Sequence, residues 1–172
     1  CAACPAGSSC STGSLAHKLC SPGTVQPADG QKECVDCVAG TFMNESGQTA
    51  CFECVAGSYC EAGSSAPLPC KEGSFSSTPG LGSEGQCTAC PAGSSCSTGS
   101  LTHKPCSPGT VQPAGGQKEC LDCVAGKFMN ESGQTACFEC VAGSYCDDGS
   151  SAPLPCKEGS FSSVLGLGSE GQ

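Results

Sequence analysis

The 172-residue sequence contains no arginine and no tryptophan, and only seven lysines and two histidines. Without clustered Lys and Arg it lacks the groups that neutralise phosphates, which argues against nucleic acid as a partner. Sixteen acidic side chains leave a formal net charge of -9, read as a solvated, self-repelling surface. No apolar run approaches the roughly 18 residues of a membrane span, so no membrane insertion is expected in this segment. Neither a signal-peptide pattern nor an amphipathic helix of useful length is present. The histidines, His17 and His103, sit in Ser/Gly-rich stretches and are expected to be exposed loop residues. No paired carboxylates and no phosphate-binding glycine loop stand out, so no catalytic residue, cofactor or enzyme activity is expected. Apolar side chains are also sparse: over the first 86 residues the main candidates are Leu15, Leu19, Val25, Val35, Val38, Phe42, Met43, Phe52, Val55, Tyr59, Leu68, Phe75 and Leu81. A core this thin cannot hold the chain unaided.

What the chain has instead is repetition. Residues 1–86 and 87–172 align without a gap and differ at ten positions, among them Ala2/Thr88, Leu19/Pro105, Thr41/Lys127 and Thr78/Val164. Two domains are therefore expected, one per copy. A repeat too small to bury its own apolar face stacks on its neighbours. The sequence starts at Cys1 and stops where a third copy would begin, and is read as two units cut from a tandem polymer with a structural role.

Twenty cysteines amount to about 12% of the chain, above the level that marks a disulfide scaffold. Such density belongs to an oxidising compartment, so a secreted, extracellular or cell-surface location is expected. Within each copy five shorter units open with Cys-x-x-Gly followed by Ser or Thr: Cys4 to Ser8, Cys20 to Thr24, Cys37 to Thr41, Cys54 to Ser58 and Cys70 to Ser74. They recur from Cys90, Cys106, Cys123, Cys140 and Cys156, with Lys127 the one departure at the Ser/Thr position. Glycine three residues after cysteine permits positive φ where the chain reverses, and the neighbouring hydroxyl can bond a freed backbone group. Phe42, Tyr59 and Phe75 follow directly, where a flat ring can cover a disulfide. Gly, Ser, Pro and Asn crowd the segments between, which predicts turns joining short strands.

Each unit holds two cysteines. Ten cysteines admit roughly nine hundred connectivities. Closure within units is the simplest: Cys4 with Cys10, Cys20 with Cys34, Cys37 with Cys51, Cys54 with Cys60, Cys70 with Cys87, then Cys90 with Cys96, Cys106 with Cys120, Cys123 with Cys137 and Cys140 with Cys146. Cys1 and Cys156 would then take partners in adjoining copies. An interleaved pattern, Cys34 with Cys51 and Cys37 with Cys54, is also permitted. The run Cys34-x2-Cys37-x13-Cys51-x2-Cys54 has four-thiolate zinc spacing, but six further cysteines per copy fall outside it, and disulfides without metal are expected. Asn44-Glu45-Ser46 and Asn130-Glu131-Ser132 are sequons, so Asn44 and Asn130 are expected to carry covalent N-glycans in a secreted chain.

The recurring Cys-x-x-Cys-[Pro/Val]-Ala-Gly-[Ser/Thr]-[Phe/Tyr], as at Cys34 to Phe42 and Cys51 to Tyr59, resembles the ephrin-receptor-like cysteine-rich repeat. That family is itself similar to the cysteine-rich modules of tumour necrosis factor receptors. The resemblance implies a small, disulfide-rich, mostly irregular fold of short β-hairpins, drawn out as an elongated tandem-repeat rod outside the cell. The expected function is a structural glycoprotein whose principal partner is itself, copy on copy, in a surface fibre or filament. The alternative is a cysteine-rich receptor or adhesin stalk that binds a protein ligand.

Overall fold

The structure, a computed structural model, describes residues 1–171. It forms two compact units. The first comprises Cys1–Lys71 and Ser76–Thr88, the second Glu72–Phe75 and the chain from Ala89 onwards.

Each unit is a succession of two-residue strands paired as antiparallel hairpins. In the first, β1 (Ser8–Ser9) pairs with β2 (Lys18–Leu19), β3 (Thr24–Val25) with β4 (Val35–Asp36), β5 (Thr41–Phe42) with β6 (Phe52–Glu53), and β7 (Ser58–Tyr59) with β8 (Leu68–Pro69). Between them and the second series lie β9 (Ser74–Phe75) and β10 (Thr88–Ala89). In the second unit β11 (Ser94–Ser95) pairs with β12 (Lys104–Pro105), β13 (Thr110–Val111) with β14 (Leu121–Asp122), β15 (Lys127–Phe128) with β16 (Phe138–Glu139), and β17 (Ser144–Tyr145) with β18 (Leu154–Pro155). Helix is confined, among the described residues, to one 3-10 turn at Glu84–Gln86. The fold is a set of small, disulfide-rich repeated hairpins.

The Cys-x-x-Gly motif makes the entry to each hairpin. Around Gly23 the Thr24 N–H donates to the Ser21 carbonyl at 3.0 Å, with Pro22 second and Gly23 third in the turn at φ 87°. Pro then Gly at the central positions, the latter with positive φ, is the signature of a type II turn. The Thr24 hydroxyl adds a bond to the same Ser21 carbonyl at 2.8 Å. Ser8 does the same with Pro5, and Thr41 with Val38. Lys127 has no hydroxyl to contribute, yet its N–H still bonds the Val124 carbonyl at 3.0 Å, so this turn survives on its backbone alone.

Two-residue strands have too few ladder bonds to stand alone, and successive hairpins within a unit hold one another instead. The Gly23 N–H donates to the Met43 carbonyl in the next hairpin at 2.7 Å, while its own carbonyl accepts the Cys37 N–H at 2.9 Å. The Gly63 N–H donates to the Cys37 carbonyl at 2.8 Å. This arrangement brings the Gly63 carbonyl so close to Gly23 that a Cβ there would overlap it. The pattern recurs with Gly7 against Gly47 and Gly40 against Gly80, and in the second unit with Gly93, Gly109 and Gly126 against Gly133, Gly149 and Gly166. The fold is thus a backbone hydrogen-bond ladder with disulfides inside it.

The apolar core is correspondingly small. Val25, Cys37 and Met43 form one buried cluster with Cys51 packed on it, and Val111, Cys123, Met129 and Cys137 repeat it. Buried Gln26 is satisfied by donating to the Glu33 carbonyl at 2.7 Å and accepting from the Ala28 N–H at 3.1 Å. Gln112 does likewise with Glu119 and Ala114. At the ten positions where the two copies differ, every residue is exposed except half-buried Thr41. Buried and ladder positions are therefore identical in both copies, and variation is confined to the surface.

Candidate functional site: the disulfides and the sequon turns

Among the described residues nine disulfides fall into three sizes. Cys4–Cys10, Cys54–Cys60, Cys90–Cys96 and Cys140–Cys146 each span a separation of 6 residues. Cys20–Cys34, Cys37–Cys51, Cys106–Cys120 and Cys123–Cys137 span 14. Cys70–Cys87 spans 17. Their Cα atoms lie 5.6–6.1 Å apart, within the range a disulfide bridges. Each closure near 15 residues stabilises the fold by about 3 kcal/mol, chiefly by restricting the unfolded chain. Cys1, exposed, and Cys156, half-buried, are without a bond.

The four cysteines with zinc-like spacing are distributed over three of these bonds: Cys34 with Cys20, Cys37 with Cys51, and Cys54 with Cys60. Their sulfurs are covalently occupied and do not converge. The interleaved pairs Cys34 with Cys51 and Cys37 with Cys54 are not formed. No group of three or more His, Cys, Asp or Glu suited to a metal ion occurs among the described residues.

The sequon turns are positioned by the buried methionines before them. Met43 is 1% exposed, and its backbone is held on both sides: its carbonyl accepts the Gly23 N–H at 2.7 Å and its N–H donates to the Ser64 carbonyl at 3.2 Å. The chain then leaves the core, so Asn44, Glu45 and Ser46 are all exposed on one turn. Gln48 closes that turn by donating to the Glu45 carboxylate at 2.9 Å. The second copy repeats this: Met129 is buried and bonded to Gly109 and Ser150, Asn130 is exposed, and Gln134 bonds Glu131 at 3.0 Å.

Several of the rings pair with other rings. Phe42 packs across its hairpin on Phe52, centroids 6.0 Å apart, and Phe128 on Phe138 at 5.9 Å. Directly opposite residues on an antiparallel pair bring their side chains together, and the β5–β6 register sets Phe42 opposite Phe52. Phe75 lies 5.7 Å from the His103 ring, whose Nδ1 is 3.1 Å from the Ser94 Oγ. His17 is exposed as expected, but His103 is an engaged residue despite its exposure. Glycine spacing alone carried no signal for that contact.

One ion pair borders the 70–87 disulfide. The Lys71 ammonium meets the Glu84 carboxylate, and this hydrogen bond and charge hold the lysine above its usual value. A similar pair, Lys157 with Glu170 at 3.4 Å, occurs in the second copy.

In comparison with known families, residues 23–62 match a family described as tyrosine-protein kinase ephrin type A/B receptor-like. No curated protein matches the chain. The matched stretch runs from the Gly23 turn through the Cys54–Cys60 bond and takes in the cluster of Val25, Cys37 and Met43. The chain is an array of small cysteine-rich repeats, of which residues 23–62 carry the ephrin-receptor-like match.

Proposed function

We propose that this array is a length of an extracellular structural glycoprotein, a long fibre or surface filament of tandem copies held by disulfides and clothed in N-glycans on Asn44 and Asn130. The observation that carries the reading is where the copies agree. Every buried residue, every ladder glycine and every bonded cysteine is the same in both, and the differences lie on the surface. A receptor whose modules each met a different part of a ligand would vary its exposed residues freely between modules, whereas a filament needs one joint repeated. The extracellular setting rests on the density of disulfides, which reducing compartments do not sustain.

A receptor or adhesin stalk remains the second reading, favoured by the exposed rings of Phe52 and Phe138, each 57% accessible. Electron microscopy of the natural material separates the two. Continuous fibres with an axial period of one or two 86-residue copies support the filament. Discrete particles that capture a soluble protein ligand support the stalk.

A further inference from the structure

The facing rings and the sequons fall on the same hairpins. Where Phe42 faces Phe52, the other hairpins of the first unit set Ser9 against Lys18, Val25 against Val35 and Tyr59 against Leu68. In the second unit Phe128 faces Phe138, while its other hairpins set Ser95 against Lys104, Val111 against Leu121 and Tyr145 against Leu154. Among these hairpins two rings meet only beside the strand that runs into a sequon, as Phe42-Met43-Asn44 and Phe128-Met129-Asn130. Residues 42–60 are identical to 128–146, the exposed ones included.

The buried methionine sets the direction of its neighbours. Successive side chains along a strand point to opposite faces, so the inward turn of Met43, continued one residue past β5, sends Phe42 and Asn44 to the same outer side. Their Cα atoms are no more than about 7 Å apart. Phe52 stands directly across from Phe42, at about 5 Å between strands. The two rings are tilted by 53° with centroids 6.0 Å apart, and Phe52 remains more than half exposed. One aromatic face is thus left in water beside the attachment atom of the sequon.

We propose that the N-glycan on Asn44 folds back onto this ring pair, with the C–H face of its first N-acetylglucosamine laid against Phe52, and that the glycan on Asn130 does the same with Phe138. The axial C–H hydrogens of the pyranose carry slight positive charge and meet the negative face of the ring. Apolar area on both partners leaves water, while the sugar hydroxyls at the rim stay hydrated. The proposal rests on the sequon reading above and adds that the sugar is a packed part of the hairpin. It gives the exposed ring an occupant within its own molecule, where a stalk would present it to a protein ligand.

The test uses the whole chain secreted by a eukaryotic host in an Asn130→Gln background, its glycan trimmed enzymatically to one N-acetylglucosamine. Phe52→Leu, which keeps an apolar side chain but removes the ring face, and Asn44→Gln are made singly and together. Intact mass first shows whether Asn44 carries sugar. By NMR the sugar-ring protons should be shifted upfield and show Overhauser contacts to Phe52, and both signals should vanish in Phe52→Leu. The Cys54 N–H, which bonds the Gly40 carbonyl at 2.8 Å where β6 ends, should exchange about fivefold more slowly with the sugar than in Asn44→Gln. In Phe52→Leu the sugar should make no difference to it. An occupied Asn44 whose sugar protons keep free-sugar shifts, or a protection that survives Phe52→Leu, would overturn the packing and leave the sequon reading standing. A mass unchanged by deglycosylation would overturn both. Phe52 resonances that move with protein concentration would assign the ring to a second copy and equally overturn the proposal.

Discussion

Replacing Gly23 by alanine tests whether the backbone ladder or the disulfides do most of the holding. Gly13 is the control, because both glycines have positive φ, 87° and 79°, but only Gly23 has a neighbour: a Cβ there overlaps the Gly63 carbonyl, while at Gly13 it meets nothing within 4 Å. Left-handed backbone costs an L-residue about 1–2 kcal/mol, which is all that Gly13→Ala should lose. At Gly23 the obstacle is a backbone oxygen that cannot rotate aside, so the facing segments must part. The bonds most exposed to this are Gly23 to Met43 at 2.7 Å and Gly63 to Cys37 at 2.8 Å. Each is worth about 1 kcal/mol net, more when a buried group is left without a partner, so Gly23→Ala should lose about 3–5 kcal/mol in all. The excess over the control, about 2–3 kcal/mol, corresponds to roughly 30- to 150-fold faster local opening. Native-state hydrogen exchange at the Gly23 and Gly63 amides reads this directly, which a melting curve does not, since a repeat array need not unfold as one cooperative unit. Equal acceleration by both variants would show that the close approach carries no energy and that the disulfides alone set the spacing of the hairpins.

Three further outcomes are expected. Asn44→Gln and Asn130→Gln should each remove one glycan from chain secreted by a eukaryotic host, seen as equal steps in intact mass; a mass unchanged by enzymatic deglycosylation of the parent would refute the sequon reading. Ala62→Asp should create a new tie between hairpins, because Asp29 already accepts the Ala6 N–H at 2.7 Å and Asp148 the Ala125 N–H at 2.6 Å, both 23 residues apart, and Ala62 stands 23 residues from Ala39. The gain should be about 1 kcal/mol, read as slower exchange of the Ala39 amide, and unchanged exchange would refute it. Because Glu84 raises the Lys71 value, the pair's contribution should be complete below the ordinary lysine value and be lost as pH rises through the raised one. An NMR titration of Lys71 should give a lower midpoint in Glu84→Gln, and an identical midpoint would refute the pairing.

The local half of this protein was legible in the residues. A Cys-x-x-Gly-Ser/Thr turn is complete within a few positions, so the glycine's positive φ and the hydroxyl's bond follow from their neighbours, as Ser21 to Thr24 shows. The expectation of many short hairpins in repeated cysteine-rich units followed from the spacing of those turns, and the nine two-stranded sheets among the described residues agree with it. Which ring met which was not legible. Phe42 faces Phe52 because of the register of β5 on β6, and Phe75 reaches His103 across 28 positions. The glycine spacing also held no record of the approach of Gly23 to Gly63, because a contact 40 residues long is set by how the intervening unit stacks. Cysteine pairing stands between the two: two cysteines in each repeat made closure within repeats the simplest pattern, but the choice between it and an interleaved one depends on which Cα atoms come within about 6 Å once the ladder has formed. Composition and short-range spacing therefore determined the turn, the repeat and the need for cross-links. Only the tertiary structure decided the partners, since long-range register is a property of stacked backbone and not of any one unit.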